Sequence, residues 1–342
     1  MTTRHFVSRL LVATSVLAVL SAGTAAGGGV RESDAPPGSR AELQPLVIGI
    51  MPAADSVPLI VAEAEGYFAH EGLDVTLELF RDQVYREAAL QANTIDATIT
   101  DLVNALRSWE SGADYRVLTA TQGIFSFVTA PASAVRAPED WPTAPRTLRT
   151  GLLEDSIIFY VTQRMLEQMD LDLERIEVVP TTQIPVRLEA LVANHLDAAV
   201  LPEPVTRMAV AGGAHEFLST DEVFDWTPGV LLATGTALSR KPGELEALLR
   251  AYDRAVTAVN EDPARYRPII VERAGFPAPT TRTMRLPVYR PATLPTPSQV
   301  ADVASWMIDR GLLVTAPRYN EIVQVREAHV NPLVIPCAAC ND

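Results

Sequence analysis

The sequence predicts an α/β protein of two similar lobes, each a mixed, mostly parallel sheet flanked by helices and joined to the other by two crossing strands. Three observations carry that expectation. From residue 46 onward short apolar runs alternate with amphipathic helical stretches, the pattern of parallel strands connected by helices. The same order of elements begins again about 100 residues later. Two apolar stretches, GIFSFVTAP (123–131) and PGVLLATGT (228–236), bracket the second unit, where strands passing between lobes belong.

LVIGIM (46–51) reads as a buried strand, and the turn PAADSVPL follows it. Ser56 suits a helix cap and Pro58 a first turn, so a helix is expected over 56–70, ended by Gly72. Strands are expected over 74–80, 95–100 and 117–121, with helices over 83–92 and from residue 101. The second unit repeats this order. A strand over 147–153 leads into Glu154-Asp155-Ser156 as the first led into Ala54-Asp55-Ser56. LVANHLDAAVL (191–201) parallels LQANTIDATIT (90–100), matching Leu90 with Leu191, Ala92-Asn93 with Ala193-Asn194, and Asp96-Ala97 with Asp197-Ala198. Further helices are expected over 244–260, with Leu245, Leu248, Leu249 and Tyr252 inward, and over 298–310. Lobe one is then 44–126 plus 232–342, and lobe two is 127–231. A doubly crossed hinge makes a cleft that can close on a solute.

Ahead of this body, Arg4, His5 and Arg9 precede the apolar run Leu10 to Leu20 and a string of small residues. That order is a secretory signal peptide, expected over 1–26, and its apolar run is too short for a spanning helix. No cysteine follows it for lipid attachment. Residues 27–43 read as a flexible spacer, and the mature chain is expected to be periplasmic or secreted, soluble and monomeric. A net charge of −14 argues against nucleic acid and anionic membrane as partners. The tail CAAC leaves three readings of Cys337 and Cys340: a short-range disulfide, a redox pair, or a metal clip with His329.

Ligands of open α/β sheets bind beyond the carboxyl ends of the strands. That rule selects Asp55, Ser56, Arg81, Thr100, Asp101 and Gln122 in lobe one, and Asp155, Ser156 and Glu203 in lobe two. Aromatic neighbours Tyr85, Phe125 and Phe159 complete the candidate site. Carboxylates at helix starts serve as caps. Four of them, Asp55, Asp101, Asp155 and Glu203, also disfavour a bare oxyanion and favour a cationic or hydrogen-bond-donating solute such as an amine, an amidine or an aminopyrimidine. Catalytic motifs of the GxSxG, HExxH and GxxxxGK[ST] types are absent from the sequence. The histidines are scattered, and the single lysine, Lys241, reads as a solvated charge at a helix start.

IGIMPAADSVPLIVAEAEGYFAHEGLDVTLELF (48–80) resembles the opening of solute-binding proteins of the nitrate, taurine, sulfonate and thiamine-precursor importers. ALQANTIDATITD (89–101) and the Pro-Glu-Pro turn in LDAAVLPEPVTRMA (196–209) are similar to further segments of that family. The resemblance implies a type II periplasmic-binding-protein fold and delivery of the solute to the membrane permease of an ABC importer, without cofactor or catalysis. It carries site roles onto Asp55, Ser56, Thr100, Asp101, Asp155, Ser156 and Glu203. Anion-binding members often present a Gly-Ser-Thr-like loop where this chain has Ile99-Thr100-Asp101, which favours a thiamine-pyrimidine-like or other donor-bearing organic solute. The alternatives are a sulfonate- or nitrate-type anion on the same fold, a ligand sensor, and a pyrimidine-synthase-like enzyme using pyridoxal phosphate, which needs a lysine.

Overall fold

The computed structural model describes residues 44–144 and 146–325. The signal peptide and spacer expected over 1–43, and the readings of His329, Cys337 and Cys340, concern residues outside that range. Strand β1 (Leu46–Ile50) leads through a 3-10 turn at Ala54–Ser56 into helix α1 (Val57–Ala64) and the short α2 (Tyr67–His70). The single helix expected over 56–70 is broken because Gly66 adopts a left-handed conformation (φ 69°) that interrupts the hydrogen-bond ladder. Strand β2 (Val75–Leu79), α3 (Gln83–Gln91), β3 (Ala97–Asp101), α4 (Leu102–Glu110) and β4 (Tyr115–Thr121) complete the first unit. The second unit comprises β5 (Phe125–Thr129), β6 (Leu148–Leu152), α5 (Ile157–Gln168), β7 (Ile176–Pro180), α6 (Ile184–Val192), β8 (Ala198–Pro202), α7 (Val205–Ala211), β9 (His215–Ser219) and α8 (Thr220–Val223). Strand β10 (Gly229–Thr234) is followed by α9 (Gly235–Arg240), α10 (Pro242–Glu261), α11 (Pro263–Ala274), α12 (Thr280–Thr283), α13 (Pro297–Asp309) and α14 (Tyr319–Ile322).

Two five-stranded sheets result, ordered β2-β1-β3-β10-β4 and β7-β6-β8-β5-β9. Each has three parallel strands, then one antiparallel strand, then a fifth paired antiparallel to it. The antiparallel strand arrives late in the first sheet (β10) and early in the second (β5), so the chain must pass between sheets twice. The passages lie at residues 122–124 and 224–228, side by side. Gly123 N donates to Thr227 Oγ1, and Leu102 N donates to Pro228 O.

The sequence duplication is a structural one. Asn93 (φ 53°) and Asn194 (φ 59°) both turn left-handed just after α3 and α6, a conformation asparagine tolerates better than most residues. Asp96 then accepts from Val47 N and donates its own N–H to Val47 O, while Asp197 does the same with Arg149. Each aspartate so pins the start of its lobe's third parallel strand to the first. Lys241, expected in solvent, instead donates to both Asp96 oxygens and to Pro45 O. It partly neutralises a half-buried carboxylate.

One apolar core runs under the second sheet and on through α4, α5 and α13, while another fills the first lobe between β1, α1 and α10. The first core crosses the seam between lobes. Tyr160 on α5 meets Trp306 on α13 edge-on, with ring centroids 5.4 Å apart. The Tyr160 hydroxyl and Arg164 both donate to Asp302.

Candidate functional site

The carboxyl edge of the first sheet gathers Asp55, Thr100 and Asp101 around a residue that motif reading passed over, Arg86 on α3. Arg86 is buried; its Nη2 donates to Thr100 Oγ1 (3.0 Å) and to Glu87 Oε1 (2.9 Å). Burial pushes the Asp55 carboxyl up to about 6 against the pull of Arg86, with Asp101 pushing the same way as burial. Asp101 is likewise raised to about 6 by burial, opposed by the Asn104 N–H and by Arg86. Asp101 caps α4, accepting from Asn104 N and Nδ2. Asp55 is not a cap, and its Oδ1, shielded from solvent, has no hydrogen-bond partner within the protein. The buried Tyr252 hydroxyl is equally unpartnered, and the charge on Asp55 helps hold that hydroxyl above its ordinary value, after burial. Ser56 accepts from Met51 N within the loop rather than capping α1.

Across the seam, the β8–α7 turn meets this loop directly, Ala54 N donating to Glu203 O. The Glu203 side chain is wholly buried. Arg207 Nε lies 2.8 Å from Glu203 Oε1 but out of line, so neither carboxylate oxygen accepts a hydrogen bond. Burial raises Glu203 to about 7, with Arg207 pulling down and Glu216 pushing up. Arg207 and Arg285 both pair with Glu216, and Arg285 also pairs with Asp221.

Asp155 pairs with Arg107 of α4 at 3.5 Å, and Ser156 bonds back to Leu153 O. Phe159 is buried beneath the Arg310 guanidinium, 4.3 Å from its ring centroid. Two adjoining concavities open here. One of about 380 Å³ is lined by Leu153, Glu154, Asp155, Val178 and Pro180. The other, about 290 Å³, shares Glu154 and Val178 with it and is otherwise lined by Phe159, Leu173, Glu174, Ile176 and Arg310. Among the remaining candidates, Phe125 neighbours Asp55 across Gly123, whose Cβ position lies 3.7 Å from Phe125 Cε2 and 3.8 Å from Asp55 Cβ. Tyr85 is 72% exposed, and Arg81, also exposed, reaches Ala274 O. Gln122 accepts from Arg290 N, and half-buried Phe125 donates its N–H to Thr220 Oγ1.

Each of the four carboxylates therefore sits near an arginine: Arg86, Arg107 or Arg207. A signal for Arg86 existed in the sequence. Arg86 and Arg187 are spaced in the chain as Asn93 and Asn194 are, and each is the fourth residue of its helix. No group of three or more histidine, cysteine, aspartate and glutamate side chains suited to a metal occurs among the described residues.

Residues 53–266 match the profile of the NMT1/THI5-like family. The chain belongs to that family. No curated protein matches the sequence. The type II periplasmic-binding-protein fold of this NMT1/THI5-like protein is shared by solved structures of low sequence identity. A ligand-binding component of an ABC-type import system from Staphylococcus aureus, with zinc bound, aligns with a TM-score of 0.69 at 14% identity, covering 82% of this chain and 96% of that one. The periplasmic aliphatic sulphonate-binding protein SsuA from Escherichia coli aligns at 0.66 and 16% identity, covering 82% and 92%. The periplasmic nitrate-binding protein NrtA from Synechocystis PCC 6803 aligns at 0.66 and 14%, covering 80% and 83%. Among the described residues of the NMT1/THI5-like chain, no helix is long and apolar enough to cross a membrane.

Proposed function

We propose that this protein is the extracytoplasmic solute-binding receptor of an ABC importer, and that it takes a small organic solute bearing hydrogen-bond donors, such as an amine, an amidine or an aminopyrimidine. The observation that carries the ligand class is the pair Asp55 and Asp101, two carboxyls at one sheet edge, with Asp55 Oδ1 lacking any donor. A buried acceptor without a partner costs about 1–3 kcal/mol, and a solute N–H recovers it. Ligand contacts made only when the lobes are together then favour closure. The family and the transport roles of its structural neighbours support the receptor role. Binding without catalysis is the reading that the lysine supports. Lys241 is tied to Asp96 and Pro45, at the edge of the first sheet opposite Asp101, so it is out of place for Schiff-base chemistry at the acid pair.

A thermal-shift screen tests the proposal, using amines, amidines, aminopyrimidines, sulfonates and nitrate. A solute at about 100 times its Kd adds about 2.7 kcal/mol. Asp55→Asn should abolish the stabilisation given by the best donor solute. Stabilisation by nitrate or a simple sulfonate, with none by any donor, would overturn the ligand class.

A further inference from the structure

Each sheet ends at one side on a parallel strand, β2 in the first lobe and β7 in the second, and duplication makes one a control for the other. Val178 stands in β7 where Leu77 stands in β2, each opposite the middle residue of the neighbouring strand. Successive residues of a strand turn their main-chain groups alternately toward and away from that neighbour. Phe80 N donates to Ile50 O and Thr181 N to Leu152 O, so Leu77 and Val178 turn theirs outward. In the first lobe this edge is covered. Leu77 is buried, and its carbonyl accepts from Arg273 Nη2 of α11 (2.9 Å), which is itself paired with Glu63 (2.8 Å). In the second lobe Val178 is half-buried, and neither its N–H nor its carbonyl has a hydrogen-bond partner among the described residues. An open edge of this kind is a template for another strand.

The open edge runs beside a groove. Ile176, Val178 and Pro180, alternate residues that share one face, line the two adjoining concavities together with Leu153, Phe159 and Leu173. An extended segment laid along β7 would direct every second side chain into that groove while its main chain paired with Val178. The charge of the groove is acidic. Asp155 is engaged by Arg107, and the Arg310 guanidinium lies over the Phe159 ring. Glu154 and Glu174 are exposed and form no ion pair among the described residues. A second copy of this chain fits the edge poorly. Pairing β7 with its own copy would set these acids against one another, on a chain whose net charge is −14.

We infer that the β7 edge is a docking site for an extended, basic segment of a partner protein. The segment adds a further strand to the second sheet, its apolar side chains in the groove and its cationic ones against Glu154 and Glu174. Main-chain bonds to Val178 supply the pairing, and the groove selects the side chains at alternate positions. The inference is independent of the solute's identity.

Titration calorimetry of the intact protein with end-blocked peptides tests it. The probes are Lys-Thr-Val-Thr-Val-Thr-Lys, the same peptide with glutamate for lysine, and two lysine peptides N-methylated on one or the other alternating set of residues. The lysine peptide should bind with a Kd below about 1 mM and at least about tenfold more tightly than the glutamate peptide. One N-methylated peptide should lose about tenfold or more while the other binds like its parent, because only one edge of an added strand faces β7. Hydrogen exchange locates the contact, and the Val178 N–H should gain about tenfold or more protection with the lysine peptide bound. Replacing both acids, Glu154→Gln with Glu174→Gln, should weaken that peptide by about threefold or more. Equal binding of the lysine and glutamate peptides, equal effects of the two methylation sets, unchanged exchange at Val178, or no binding at about 1 mM each overturns the inference. Tighter binding by a peptide of the chain's own residues 330–336 overturns it too, as does self-association in sedimentation that the lysine peptide disperses; these assign the edge to the chain itself or to a second copy.

Discussion

Replacing Glu203 with glutamine should stabilise the protein at neutral and alkaline pH relative to acid. Glu203 is wholly buried, neither of its oxygens accepts a hydrogen bond, and its pKa stands at about 7 against an ordinary 4.5. The folded state thus holds a proton that the unfolded state releases over this interval. For an acid raised in this way, the contribution to stability is fully present below pH 4.5 and is lost as pH rises toward 7. Each pH unit costs ~1.36 kcal/mol, so the loss amounts to about 3 kcal/mol. Glutamine keeps the shape and the neutral state at every pH. Urea unfolding of wild type and Glu203→Gln at pH 4 and pH 8 measures the effect. The difference between the two proteins should move by about 3 kcal/mol in favour of glutamine on going from pH 4 to pH 8, or about 5–10 °C in Tm. Asp55 and Asp101 titrate in both proteins and cancel. A difference that is the same at both pH values, or that turns against glutamine at pH 8, would show Glu203 ionised and needed as the countercharge of Arg207 and Arg285.

Two further outcomes are expected. Affinity for a cationic solute should fall by about tenfold or more between pH 8 and pH 5, because Asp55 and Asp101, at about 6, lose their charge across that window; calorimetry at the two pH values checks the sign, and tighter binding at pH 5 would exclude these carboxylates as the cation's partners. Gly151→Ala should cost about 1–3 kcal/mol, since the added Cβ would lie 2.5 Å from Leu196 Cδ1 and 3.1 Å from Arg187 Cγ, whereas Gly123→Ala, with its nearest neighbour at 3.7 Å, should be close to neutral in the same denaturation assay.

Local rules made much of the fold legible. The repeat of Ala-Asn and Asp-Ala between residues 92–97 and 193–198 read correctly as one unit used twice, because a left-handed asparagine and a strand-pinning aspartate are needs of backbone geometry that each copy must meet with the same residues. The loops at strand ends were equally legible, since sheet topology dictates where they emerge. Gly66 was harder to read. A glycine within a helical pattern can be tolerated at a cost of about 1 kcal/mol or can end the helix, and only its φ of 69° told the two apart.

Charge pairing was where reading by motif fell short. Asp55, Asp101, Asp155 and Glu203 were placed on the strand-end loops, but the arginines near them, which come from neighbouring helix turns or from the other lobe, were not singled out. By itself the sequence determined the class of fold, the duplication and the strand-end loops, because these follow from periodicity and from backbone demands local to each segment. Only the tertiary structure decided which carboxylates keep their charge, which acceptors are left without a donor, and that Leu77 O is met by Arg273 while Val178 O is not. Solvation and Coulomb energies depend on burial and on distances between residues far apart in the chain, and no local pattern encodes either.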